Sequence, residues 1–193
     1  MTLLRPEIGS LEQNAITSLA FPRMGDPDII PLWFGQGDRV TPPFICDAAK
    51  TGLDEGRTFY THTRGRQDLR NALKSYLDSL YGIDLNPDRI TVPGAAMMGM
   101  TLATQMSLTT GLHGLVVGPA WQNIFNAMLV SGAELDYVRQ RFTDGLWSLD
   151  MDELKAAVKP NTKAIFVNTP CNPTGWVMPH EQQLELLAFC REH

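Results

Sequence analysis

Between Arg66 and Gly82, Leu69, Leu73, Tyr76, Leu77 and Leu80 recur at three- and four-residue spacing, which predicts a helix with one buried face. An earlier helix is predicted where Pro42 and Pro43 suit a first turn, the run ICDAAKTGLDE follows, and Gly56 is placed to end it. Near the start, Ser10 followed by Gln13 is a capping-box pattern that predicts a short helix over Leu11 to Leu19. Beyond Gly82 the pattern changes. Short apolar runs (RITV, LVVG, ELDYV, AIFVN) are interleaved with helical stretches (AAMMGMTLATQMSLTT, WQNIFNAMLVSG, MDELKAAV, HEQQLELLAFC). Strand and helix in alternation predict an α/β fold, a mostly parallel sheet with helices on both faces. LVVG and AIFV are apolar without alternation, so both are expected to be central strands covered on each side. No internal repeat or low-complexity stretch interrupts this order.

With 193 residues, 44% of them hydrophobic, the chain can bury a sizeable core. A net charge of −5 with 19% charged residues leaves no basic stripe to neutralise a phosphate backbone, which argues against a nucleic-acid partner. No run approaches the roughly 18 apolar residues of a membrane span, and the first residues, MTLLRPEIGSLEQNA, do not resemble an export signal. Cys46, Cys171 and Cys190 are odd in number and widely spaced, the pattern of free thiols in a reducing cytoplasm. The four histidines show no metal-ligand spacing, so no metal site is predicted.

Two turns carry candidate chemistry. Gly94 closes RITVPG and opens a helix at Ala95, Ala96 and Met97, where free N–H groups beside small side chains suit a phosphate. The same glycine also suits a plain strand-to-helix turn. The P-loop signature fails at Met100, which stands before Thr101 where Lys is needed, and G-x-G-x-x-G is absent here. The second turn is NTPCNPTGWV, residues 168 to 177, directly after AIFV. Asn172, Pro173, Thr174 and Gly175 make a turn on any reading. It leaves the carboxyl end of a strand, where open α/β sheets bind ligands, and the Asn172 amide is able to donate to a ligand oxygen there.

A strand followed by P-x-N-P-T-G resembles the class I/II aminotransferases, which are fold-type I pyridoxal phosphate (PLP) enzymes. Four further blocks agree in order: LWFGQGDRVTPP, FYTHTRGRQDLRNAL, ITVPGAAMMGM and GLVVGPAWQNIF, giving coverage from about Ile30 to His193. The resemblance implies a PLP-binding large domain begun at residue 46 and incomplete at 193, preceded by an amino-terminal arm or small-domain segment over 1–45. It also implies roles. Gly94, Ala95 and Ala96 match the phosphate cup; Trp121 matches the aromatic ring stacked on the pyridine; Asn172 matches the hydrogen-bond donor to the ring hydroxyl. Tyr60 matches a tyrosine reaching the phosphate in the neighbouring subunit of a homodimer, and Gly35 a glycine beside the substrate carboxylate. Gly37 and Arg39 depart from the family near the substrate mouth. Leu112 and His113 depart from it at what reads as a surface turn.

The implied activity is amino transfer from an amino acid to a 2-oxo acid, as in cytoplasmic amino-acid biosynthesis. A lyase or decarboxylase of the same fold type is the nearest alternative, and a non-catalytic phosphate- or partner-binding domain the other. The family needs a lysine holding PLP as a Schiff base, an Asp on the pyridine nitrogen and an Arg on the substrate carboxylate. Lys50, Lys74, Lys155, Lys159 and Lys163 all stand in surface-like settings outside any Ser-x-x-Lys segment, so none is assigned as catalytic. The chain is accordingly expected to stop short of that lysine and to be inactive alone.

Overall fold

Two prolines and a glycine bracket the first long helix, as the spacing predicts. In the computed structural model, which describes residues 3–9 and 11–193, α1 (Pro6–Gly9) and α2 (Ala15–Ala20) precede α3 (Pro43–Asp54), and Gly56 takes φ +67° just beyond it. Then α4 (Gln67–Tyr81) ends on Gly82 in the left-handed region at φ +64°. Next come α5 (Ala96–Ser107), β1 (His113–Gly118), α6 (Asn123–Val130), β2 (Glu134–Arg139), β3 (Arg141–Thr143), β4 (Leu146–Ser148), α7 (Met151–Ala156), β5 (Thr162–Phe166) and α8 (His180–Glu192). The early helix starts later than expected. Asn14, not Ser10, caps α2 by accepting from the N–H groups of Ile16 and Thr17, and Ser10 itself lies outside the described residues.

The residues divide into two compact units, one of Met1–Glu12 with Ala96–His193 and one of Gln13–Ala95. This division by compactness falls elsewhere than the division by role at residue 45. In the first unit β2, β1 and β5 form a parallel sheet in that order. Every residue of β1 is buried. Leu115 and Val117 face a core with Leu149, Leu154, Trp176 and Met178, while Val116 faces another with Leu108, Ile124 and Met128. Helices therefore cover both faces of an α/β sheet, which accounts for the unbroken apolar run of LVVG.

Three expectations are corrected. AIFV is not central, because β5 stands at one edge of this sheet. RITV forms no strand; residues 90–92 have no pairing partner, and the Val92 N–H donates to the Arg64 carbonyl instead. His113 is not in a surface turn. It is fully buried at the start of β1, its Nδ1 2.7 Å from Thr162 Oγ1 on β5.

On the other side of that imidazole, Nε2 lies 3.2 Å from Asp136 Oδ2 without hydrogen-bond alignment, and Lys159 Nζ reaches the same oxygen at 2.8 Å. The Lys159 ammonium holds the Asp136 carboxyl below the usual aspartate range, against the opposing effect of burial. A depressed carboxyl stabilises the fold above its unfolded value, and that contribution disappears as pH falls through the folded value. Thermal stability is thus expected to decline as the pH drops below about 4, and Asp136→Asn should flatten part of that decline in melting curves. An unchanged acid limb in the variant would assign the loss to other carboxyls.

Candidate functional site

The loop after β5 is anchored by buried residues that leave Asn172 exposed. Cys171, Trp176 and Met178 are buried in the Leu115 core, whereas Asn172 between them is exposed. Hydrogen bonds close the turn: Gly175 N donates to Cys171 O and Cys171 N to Trp176 O, each at 2.8 Å. Asn172 N donates to Asn168 Oδ1 at 2.7 Å, and Met178 N to Thr169 Oγ1 at 2.9 Å. Gly175 takes φ +71°, the left-handed conformation that the N-P-T-G turn requires of a glycine. The loop also reaches the neighbouring strand, since Cys171 Sγ is 3.2 Å from Pro119 O, just past the end of β1.

Trp121 follows that same strand end. It is half-buried and precedes α6 by two residues, its carbonyl accepting from Ile124 N at 3.3 Å, so it leads into the helix and does not begin it. Gly118 makes this exit possible. A Cβ there would stand 2.5 Å from Tyr137 Cε2 and 2.7 Å from Ala120 N, so only glycine fits. Trp121 and Asn172 thus leave the carboxyl ends of adjacent parallel strands, where open α/β sheets receive ligands.

Helix α5 packs against α6 and β5. Leu108, just after it, packs beside Gly114 at the start of β1, and Thr104 Oγ1 is 3.4 Å from Ala127 O of α6. Twelve residues at about 1.5 Å each make α5 about 18 Å long from its start at Ala96. Ala96 is exposed at that start, and the first-turn N–H groups of a helix have no partner within it.

Gly94, Ala95, Tyr60 and Gly35 belong to the other unit, the chain passing between units at Ala95 and Ala96. Gly94 and Ala95 are exposed, and no atom lies within 4 Å of a Cβ built on Gly94. Tyr60 is fully exposed, and Gly35 takes φ +59° with open space beside it. The structure places Ala96, Trp121 and Asn172 in one unit and describes Gly94, Ala95, Tyr60 and Gly35 separately.

One residue near the loop escaped the sequence reading. Gln140, buried just after β2, accepts from Thr174 Oγ1 at 3.3 Å while its Nε2 has no hydrogen-bond partner among the described residues. The short β3–β4 hairpin beyond it was legible in principle, because Asp144–Gly145 between two short runs is a strong hairpin signal. Away from these elements, a hollow of about 270 Å³ lined by Val158, Thr162, Lys163, Phe189, Cys190 and His193 lies between β5 and α8. It contains none of the candidate residues.

Within one unit the residues offer a helix start at Ala96, a half-buried indole at Trp121 and an exposed carboxamide at Asn172. A family model described as aminotransferase class I and II matches residues 28–193. The chain is 32% identical over 170 residues to an aspartate aminotransferase of Pyrococcus abyssi, covering 88% of this chain and 43% of that one. It is 33% identical over 172 residues to aromatic-amino-acid aminotransferase 2 of Thermococcus litoralis, covering 88% and 43%. A Thermus thermophilus aspartate aminotransferase tetra mutant complexed with tryptophan superposes with a TM-score of 0.90 at 26% identity, over all of this chain and 51% of that one. The chain therefore spans about two fifths of the length of the curated relatives it matches.

Proposed function

This chain belongs to the class I and II aminotransferase family, and from that premise we propose that the intact protein, carrying the Schiff-base lysine that this chain lacks, transfers an amino group from an amino acid to a 2-oxo acid with pyridoxal 5'-phosphate as cofactor. The observation that supports this most is that Trp121 and Asn172 follow the carboxyl ends of the adjacent parallel strands β1 and β5. In this reading Gly94, Ala95 and the α5 start at Ala96 hold the phosphate by backbone N–H groups, with the helix dipole favouring the anion. Trp121 orients the ring by stacking, and Asn172 donates to the ring hydroxyl. Gly35 leaves backbone room beside a substrate carboxylate. Bound there, PLP supplies an electron sink for the bonds at the substrate's α-carbon.

The reading includes a homodimer, in which the fully exposed Tyr60 reaches the neighbouring subunit's phosphate, and a cytoplasmic location. The free thiols of Cys46, Cys171 and Cys190 support that location.

The experiment adds an amino donor without acceptor to the cofactor-loaded protein. Conversion of the absorbance to the pyridoxamine form is expected; release of ammonia, pyruvate or carbon dioxide without that conversion would instead indicate a lyase or decarboxylase. Asn172→Ala should cost about 0.5–1.5 kcal/mol in cofactor binding, one hydrogen bond, and more in turnover. Trp121→Ala should weaken retention and shift the absorbance, because an aromatic stack contributes about 0.5–1.5 kcal/mol beyond its buried area. Wild-type affinity and rate in both variants would remove the assigned roles.

A further inference from the structure

The residues leading into Gly94 and Ala95 form no strand, so something else must fix them. A single stretch, Arg64 to Arg70, does so from within the same unit. Arg70 is 4% exposed, one of three buried residues among those described in its unit. From α4 its Nε donates to Ile90 O at 3.0 Å and its Nη2 to Pro87 O at 2.7 Å, with Asp88 Oδ1 at 3.3 Å. Its Nη1 donates to Gln67 Oε1 at 3.2 Å. Arginine is almost never this buried unless paired, and an apolar side chain would fill the same space without the desolvation cost. What the guanidinium adds is a planar fork holding two backbone carbonyls in fixed relation.

Arg64 and Gly65 hold the next residues. The Arg64 carbonyl accepts from Val92 N at 3.0 Å, and its guanidinium donates to Asp88 O and reaches Thr91 Oγ1 at 3.4 Å. Gly65 takes φ +95°, and a Cβ on it would lie 2.8 Å from Val92 Cβ. Residues 87 to 92 are therefore pinned at Pro87, Asp88, Ile90 and Val92, and Gly94 follows two residues after the last pin.

We infer that the Arg64–Arg70 segment is a positioning device for the phosphate-binding turn, with Arg70 and Gly65 setting where the Gly94 and Ala95 backbone is presented. The inference rests on the cofactor reading above. Neither residue touches the cofactor; each acts through the backbone between Pro87 and Gly94. Displacing that backbone changes how a ligand's phosphate is held, whereas Trp121 and Asn172 belong to the other unit.

The test compares dissociation constants for pyridoxal phosphate and for pyridoxal, which lacks the phosphate, in the wild-type protein, Arg70→Met, Arg70→Lys and Gly65→Ala, with melting curves for each. Wild type should prefer the phosphorylated ligand. Arg70→Met and Gly65→Ala should each weaken pyridoxal phosphate by about tenfold while changing pyridoxal by less than about twofold. Arg70→Lys, which keeps the charge but not the fork, should recover only part of the loss. Equal loss of both ligands, an unchanged ratio in folded variants, or failure of all three variants to fold would make the segment merely structural and overturn the inference. A wild-type protein that binds both ligands alike removes the cofactor reading itself, and this inference with it.

Discussion

Leu115→Ala is expected to destabilise the protein by about 2–5 kcal/mol, the range for deleting a fully buried leucine and leaving a cavity. Leu115 is 0% exposed on the middle strand of the sheet, and Leu154, on the same core, is also 0% exposed. Packing from β5 and β2 on either side prevents the strand from collapsing into the space. For a chain of this size each kcal/mol lowers the melting temperature by roughly 2–4 °C. Against a typical total of about 5–15 kcal/mol, the loss is large. Val177→Ala, at a residue 61% exposed, should stay within about 0.5 kcal/mol. Comparable denaturant midpoints for the two variants would mean that β1 is not the centre of the core.

Gly118→Ala carries the second large effect, and it joins stability to the site. The added methyl meets Tyr137 Cε2 at 2.5 Å and Tyr137 Oη at 2.9 Å, but the contact with Ala120 N at 2.7 Å is with backbone. The tyrosine ring is 39% exposed and can swing aside; the Ala120 amide can move only by displacing residues 119–121. Overpacking of this kind costs about 1–3 kcal/mol, and here the displaced segment ends on Trp121. Cofactor affinity should therefore fall along with the melting temperature. A variant that melts lower but binds cofactor as tightly as wild type would separate Trp121 from the ligand.

These effects depend on features that were legible in the sequence to different degrees. The helices α3 and α4 were plain because their signals are local: prolines at one end, a glycine at the other, leucines at helical spacing between. LVVG announced β1 because a strand covered on both faces must be apolar throughout. RITV has a similar composition but no strand beside it, and a strand exists only through its partner. His113 read as surface because its burial rests on Thr162, 49 residues away, and the burial of Arg70 left no local signal because its carbonyl acceptors lie 17 and 20 residues away. At the site, Asn172 was legible from its turn chemistry, whereas the buttressing of that loop by Cys171 on Pro119 and by Thr174 on Gln140 is non-local and was not.

The central claim is that one ligand meets the α5 start, Trp121 and Asn172 together. A crystal structure of the protein loaded with pyridoxal phosphate tests it most directly. The account predicts the phosphate at the N–H groups of the Gly94–Ala96 turn, the pyridine ring stacked on Trp121, and the ring hydroxyl within hydrogen-bond distance of the Asn172 carboxamide. A well-defined cofactor whose phosphate lies at another helix start, or whose ring touches neither Trp121 nor Asn172, would contradict it.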